Sequence, residues 1–65
     1  MISSNQEFIA KMGIVKEECD EAIYWMELLI DGGFVQREDL ADLTQEANEI
    51  LSMVIASIKT ARSRE

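Results

Sequence analysis

The sequence predicts an all-α fold in the form of an antiparallel helical hairpin. Two long segments carry apolar residues at helical spacing, and the turn-forming pair Gly32-Gly33 lies between them near the middle of the 65 residues. The chain contains no proline, which would interrupt a helix. We therefore expect one unit over residues 1–65, with a first helix at about 5–31 and a second at about 37–62.

The first helix is predicted to begin at a capping box, with Ser4 as the N-cap and Glu7 three residues later. Gly32-Gly33 ends it, because a glycine adopts the left-handed conformation of a helix C-terminus without a Cβ penalty. Phe34 and Val35 are then expected to pack against the last turn. The predicted core stripe of this helix follows heptad spacing: Phe8, Met12, Val15, Cys19, Ala22, Met26 and Leu29.

The second helix is predicted to begin near Gln36 or Arg37. Glu38 and Asp39 lie in its first turn, where the positive end of the helix dipole favours acids. Gln36 is a poor N-cap, so this boundary is less sharply defined than the others. The matching core stripe of the second helix also alternates in steps of three and four: Leu40, Leu43, Ala47, Ile50, Val54, Ile58 and Ala61.

Apolar side chains also lie outside both stripes, so that Ile23–Ile30 is apolar nearly all round the helix. A single partner helix cannot cover such a surface, and a core this small rarely supplies more than ~3–5 kcal/mol. We therefore expect a homo-oligomer, with a dimer that forms a four-helix bundle as the simplest solution. The predicted oligomer interface consists of seven apolar residues: Ile14, Ile23, Tyr24, Trp25, Leu28, Leu51 and Ile55.

Neither a disulfide nor a structural zinc site is expected to stabilise the hairpin. Cys19 is the only cysteine and the chain has no histidine. Because Cys19 falls on the apolar face of the first helix, we interpret it as a small buried hydrophobe, with an intermolecular disulfide or a reactive thiol as the alternative. Gly13 interrupts the first helix, either because another backbone approaches there or because the helix tolerates it.

The formal net charge of −7 opposes binding of phosphate backbones over most of the surface. The basic end of the second helix, with Lys59, Arg62 and Arg64, is the candidate RNA contact, although cations there also complement the helix dipole. The sequence has neither a secretory signal nor a membrane-spanning stretch, so we expect a cytoplasmic protein without a membrane partner.

An acidic cluster supplies the alternative, enzymatic hypothesis. Glu18 and Glu21 of the first helix should stand level with Glu46 and Glu49 of the second, and carboxylates at one height suit Mg²⁺. The pattern resembles that of MazG-like all-α nucleotide pyrophosphohydrolases, although such runs also form ordinary solvated faces. Without histidine, no di-iron site or Ser–His pair is available. We therefore expect no enzymatic activity and no cofactor.

Several segments together resemble one family, the bacterial four-helix-bundle proteins encoded in intervening sequences of 23S rRNA genes. The resemblance rests on residues 8–14, 16–18, 23–30, 46–51 and 57–62. It is strongest at Tyr24-Trp25 followed by Glu27-Leu28-Leu29 and at Ser57, Lys59-Thr60 and Arg62. The chain resembles helices three and four of that bundle. The resemblance implies a non-enzymatic protein that assembles into rings, related to retroelement accessory variability proteins that bind nucleic acid.

Overall fold

A computed structural model describes residues 4–64. Helix α1 spans Ser4–Asp31, a short 3-10 helix spans Arg37–Leu40, and helix α2 spans Ala41–Arg62. The two helices run antiparallel, which confirms the predicted hairpin. Helix α1 lies within a residue of both expected ends, whereas α2 ends at the expected residue 62 and begins four residues after the expected start at 37. The Cα atoms extend over 48 × 18 × 11 Å, so the molecule is a single layer of two helices.

The turn between the helices is a Schellman motif. The backbone N–H of Phe34 donates to Leu29 O at 3.0 Å and that of Gly33 donates to Ile30 O at 3.0 Å, which is the paired pattern of this cap. Gly33 has φ of 76°, the left-handed conformation expected of one of the two glycines. Phe34 lies beside the end of α1 as predicted, since a Cβ built at Gly32 would meet its ring at 3.0 Å, but its side chain stays 79% exposed.

The second helical segment begins with the 3-10 turn, so that the predicted start is right in position and different in type. The backbone N–H of Gln36 donates to Asp39 Oδ2 at 3.1 Å. Asp39 therefore compensates for the poor N-cap at Gln36 by accepting one of the backbone donors at this helix end. Arg37 pairs with Glu27 of α1 through two N–O contacts of 3.3 and 3.4 Å, which joins the 3-10 turn to the first helix.

The contact between the helices, here called the seam, follows heptad spacing on both. In α1 it consists of seven half-buried residues: Ile9, Met12, Lys16, Cys19, Ile23, Met26 and Ile30. On the other side it consists of Leu40 of the 3-10 helix and of six residues of α2: Thr44, Ala47, Leu51, Val54, Ile58 and Ala61. Among residues 4–64, the buried side chains are the last-named Val54, Ile58 and Ala61, at the C-terminal end of α2.

Two polar contacts across the seam fix the register of the hairpin. Asn5 Nδ2 donates to Ala61 O at 2.8 Å, a carbonyl at the end of α2 that also accepts from the backbone N–H of Arg64 at 3.2 Å. Near the turn, Thr44 Oγ1 contacts Met26 Sδ at 3.7 Å. Neither contact follows from the apolar pattern, because both use polar residues at positions that the heptad makes internal.

The predicted core stripes were half right. Met12, Cys19 and Met26 lie in the seam as expected, and so do five of the seven residues predicted in α2. The other members of the predicted stripes are one heptad position away from the seam. Most of them are exposed: Phe8, Ala22, Leu29, Leu43 and Ile50. The helices turn toward the neighbouring stripe, which brings Ile9, Ile23 and Ile30 into contact with α2.

Two glycines give a matched pair of substitutions. Gly33→Ala should lower the free energy of unfolding by about 1–2 kcal/mol, because an L-residue is strained at a left-handed position. Gly13→Ala should raise it by up to ~1 kcal/mol, since a Cβ at Gly13 meets nothing within 4 Å. Thermal unfolding followed by circular dichroism measures both. A destabilising Gly13→Ala would contradict the open surroundings of that position.

Candidate assembly surface

The single-layer hairpin has two broad faces, one on each side of the seam, and they differ in chemistry. One is here called the apolar broad face. It is formed by Phe8, Val15, Ala22 and Leu29 of α1 and by Leu43, Ile50, Met53 and Ser57 of α2. Phe8 and Ser57 line one groove together, which places these two stripes on the same side of the molecule. The stripe of α1 repeats every seven residues, and so do Leu43, Ile50 and Ser57 of α2, with Met53 beside them, so the face continues along the hairpin.

The apolar broad face is open to solvent. Phe8 and Leu29 are each 42% exposed, and Leu43 is 55% exposed. Met53 is 63% exposed at the margin of the face. Ordinary protein surfaces carry single, scattered apolar residues, whereas these exposed apolar residues form a row along the hairpin.

The opposite broad face is more polar. In α1 it contains Asp20 and Glu27, which lie in line with Gly13 along the helix. Asp20 forms an ion pair with Lys16 at 3.3 Å. Arg37 covers Glu27 on the same side through its two N–O contacts. These exposed pairs contribute about 0.2–1 kcal/mol each, and they keep this side of the molecule hydrated.

The outer edge of α1 carries a separate group of aromatic and aliphatic side chains. Tyr24 and Trp25 meet edge to face, with ring centroids 5.7 Å apart. Trp25 is 57% exposed. It belongs to the same stripe of α1 as Lys11 and Glu18, and this stripe borders the apolar broad face. Ile14 and Leu28 lie on the side of α1 away from α2, as the sequence predicted, and both are exposed.

The seven residues of the predicted interface therefore occupy three different places. Ile23 and Leu51 are half-buried in the seam, where they hold the hairpin together. Ile55 lies in a groove of the opposite broad face with Gly13 and Arg62. The remaining members, on the outer edge, are Ile14, Tyr24, Trp25 and Leu28. Sequence reasoning missed the apolar broad face because it assigned most residues of that face, such as Phe8, Leu29 and Ile50, to the hairpin core.

The three basic residues of the candidate RNA contact do not share a surface. Lys59 and Arg62 line the groove of the opposite broad face, close to Glu17. Arg64 lines the groove on the apolar broad face, together with Phe8. A phosphate backbone that follows one side of the hairpin would meet two of these charges at most.

The glutamates of the alternative enzymatic hypothesis are not gathered into a site. Within residues 4–64, no group of three or more Asp, Glu, Cys or His side chains is placed to hold a metal ion. Glu18, Glu21, Glu46 and Glu49 are all exposed. Cys19 is a free thiol and half-buried in the seam, which is less burial than the sequence predicted. No helix in the described part of the chain is long and apolar enough to cross a membrane.

Comparison with known proteins identifies the family. A family model described as 23S rRNA-intervening sequence protein matches residues 2–56. Since the match covers most of the chain, the chain belongs to that family, and the resemblance drawn from its motifs is confirmed. Searches of curated proteins and of solved structures find no significant match.

Because the four glutamates are not gathered into a site, we predict that Mg²⁺ does not bind the hairpin specifically. An ion at a hundred times its Kd would add about 2.7 kcal/mol to the free energy of unfolding. We expect MgCl2 to raise Tm no more than NaCl of equal ionic strength does. A Mg²⁺-specific rise that Glu18→Gln abolishes would contradict this expectation and revive the hydrolase hypothesis.

Proposed function

We propose that this member of the 23S rRNA-intervening sequence protein family is a non-enzymatic assembly module. Its hairpin would self-associate through the apolar broad face. The observation that carries the proposal is the difference between the two broad faces, since one carries a row of apolar side chains along its length and the other carries the ion pairs of Lys16 with Asp20 and of Arg37 with Glu27.

The number of layers supports this proposal. Stable domains bury the apolar side of a helix against another layer, and most have two layers or more. This hairpin has one layer and, in residues 4–64, three buried side chains. Fully burying a large aliphatic or aromatic side chain contributes about 1.5–3 kcal/mol, so several half-exposed ones represent a large gain on association.

The heptad pattern of each helix gives independent support. When the seam residues are assigned to positions a and d, the residues of the apolar broad face occupy mainly position g on both helices. Helices of four-helix bundles are typically apolar at a, d and one flanking position, because each contacts two neighbours. Within one hairpin, each helix has a single neighbour. The pattern is therefore typical of a helix with one more neighbour than this chain supplies.

RNA association is the weaker candidate for this chain. It rests on the family resemblance and on Lys59, Arg62 and Arg64, which are divided between the two broad faces. With a formal net charge of −7, electrostatic attraction to phosphate is unfavourable over most of the surface.

Two isoleucines provide a matched test of the assembly surface. Ile50 and Ile55 are each 44% exposed on α2, but they lie on opposite broad faces. Ile50→Glu should lower the solution mass to that of the monomer, because a carboxylate would be buried in the interface. Ile55→Glu should keep the mass of the wild-type assembly. Light scattering over a concentration series, with circular dichroism on each sample, measures mass and helicity together.

Three results would contradict the proposal. One is a wild-type protein that stays a helical monomer at all concentrations tested. Another is an Ile50→Glu variant that retains the wild-type mass. The third is an Ile55→Glu variant that dissociates while Ile50→Glu does not, because the interface would then be on the opposite broad face.

A further inference from the structure

We propose that an acidic amphipathic helix of a different protein binds the groove of the opposite broad face, here called the Gly13 groove. This groove lies near the chain ends, between residues 9–17 of α1 and 55–62 of α2. It is on the side away from the apolar broad face, so it stays open whether or not hairpins associate as proposed above. It is therefore a second interaction surface, with its own chemistry and its own partner.

The floor of the Gly13 groove is apolar. Ile9 of α1 is half-buried there, and Ile58 of α2 is 8% exposed. Ile55 stands three residues before Ile58 and is 44% exposed. Residues three apart are neighbours on a helix surface, so the two isoleucines of α2 form a short apolar strip along the groove. The apolar stripe of a second helix can cover this strip, which is a common way for helices to be recognised.

Gly13 lowers the wall of the groove that α1 forms. An ideal Cβ at Gly13 meets nothing within 4 Å, so no other part of residues 4–64 fills the space above this backbone. Glycine is less favourable than alanine inside a helix, and its usual benefit is that another backbone can approach closely. The described part of the hairpin makes no such approach. The open space at Gly13 therefore suits a helix that another molecule supplies.

The rim of the groove is basic along α2. Lys59 and Arg62 stand one turn apart there, and within residues 4–64 neither forms an ion pair. On α1 the rim carries Glu17 and also Lys16, which pairs with Asp20 at 3.3 Å. The lining residues thus include three cations and one carboxylate, in a chain whose formal net charge is −7. This local reversal of sign favours a partner that carries carboxylates.

The positions of the charges define the acidic edge of the partner helix. Because Lys59 and Arg62 are three residues apart, carboxylates three or four residues apart on the partner can meet both. The partner's other edge lies over Glu17, where a further carboxylate would be repelled. The occupant is accordingly a helix with an apolar stripe, whose acidic edge lies over α2 and whose other edge is neutral or basic.

The shape of the groove favours a helix over a small molecule. Its volume of about 490 Å³ would hold a small ligand, but a single layer of two helices closes it on one side only. Pockets for small molecules enclose about 70–90% of the ligand surface. A helix of a partner protein does not need this enclosure, because its outer side belongs to the surface of that protein. Toward the turn, Arg37 and Glu27 occupy the same face, so the partner helix binds over the half near the chain ends.

RNA suits the Gly13 groove less well than an acidic helix does. A phosphate backbone would meet Lys59 and Arg62, but it offers nothing to cover the exposed apolar surface of Ile55. It would also pass close to Glu17, on the opposite rim. The remaining base at this end of the chain, Arg64, lies on the other side of the molecule and cannot extend the contact.

A model peptide tests the proposal. The probe is a fluorescein-labelled peptide of about four helical turns, with leucine in one apolar stripe, glutamate along one edge of that stripe and alanine elsewhere. The control peptide carries lysine in place of each glutamate. The acidic peptide should bind the wild-type protein saturably, as measured by fluorescence anisotropy, and its Kd should rise with NaCl concentration because salt screens the contacts at the rim. The lysine peptide should bind at least about tenfold more weakly.

Substitutions in the groove locate the binding site. Lys59→Glu and Arg62→Glu should each raise the Kd of the acidic peptide by about tenfold, because an attractive contact becomes repulsive. Arg64→Glu is the matched control, since it makes the same change of charge at the same end of the chain but in the groove of the apolar broad face. It should leave the Kd within about twofold of the wild-type value. Gly13→Leu should abolish binding and retain wild-type helicity by circular dichroism, because leucine fills the groove and favours the helix.

Four results would overturn the proposal. One is an acidic peptide that does not bind the wild-type protein, or binds no better than the lysine peptide. Another is binding that survives Gly13→Leu and is lost in Ile50→Glu, which would place the peptide on the apolar broad face. A third is dissociation of the peptide-free assembly by Ile55→Glu, which would show that a second copy occupies the groove. The last is an RNA oligonucleotide that binds through Lys59 and Arg62 where the acidic peptide does not.

Discussion

A hairpin of two helices has one contact surface between its helices, and everything else it carries faces solvent. Each helix here has apolar residues at three positions of the heptad, whereas a single neighbour covers two of them. The third position leaves Phe8, Leu29, Leu43 and Ile50 exposed on one side of the molecule. This surplus of apolar surface over contact area connects the fold to the proposed role in assembly.

The distribution of charge reinforces the distinction between the two sides. Ion pairs of Lys16 with Asp20 and of Arg37 with Glu27 occupy the opposite broad face. There they keep water in contact with the helices and discourage a third layer over that part of the face. The apolar broad face has its charged residues at the margins, outside its row of apolar side chains. The two sides of the hairpin thus differ in their capacity to contact another apolar surface.

Much of this architecture could be predicted from the sequence. Gly32-Gly33 marks the turn, and the heptad repeats mark both helices, because these signals are local in the chain. The phase of the seam could not be predicted, since the apolar residues cover two adjacent stripes and periodicity does not distinguish which one meets the partner helix. The structure resolves this through nonlocal contacts, in particular those of Asn5 with Ala61 and Met26 with Thr44.

The same ambiguity prevented the apolar broad face from being predicted from the sequence. Residues such as Phe8 and Ile50 were assigned to the hairpin core, so the interface was sought at Trp25 and Leu28 on the outer edge instead. Polar residues of the seam, such as Lys16, do not contribute to the apolar pattern, so the pattern does not mark the seam as the contact between the two helices. An excess of apolar positions over the two that one neighbour needs was the available clue.

The most direct test of this account is the dependence of Tm on protein concentration. If the apolar broad face is covered by association, folding and assembly are coupled, and Tm must rise as the protein is concentrated. We predict a steady rise over a hundredfold range of concentration, with one cooperative transition at each point. A Tm that stays constant over that range, with full helicity at the lowest concentration, would show that the hairpin is stable alone and would contradict the account.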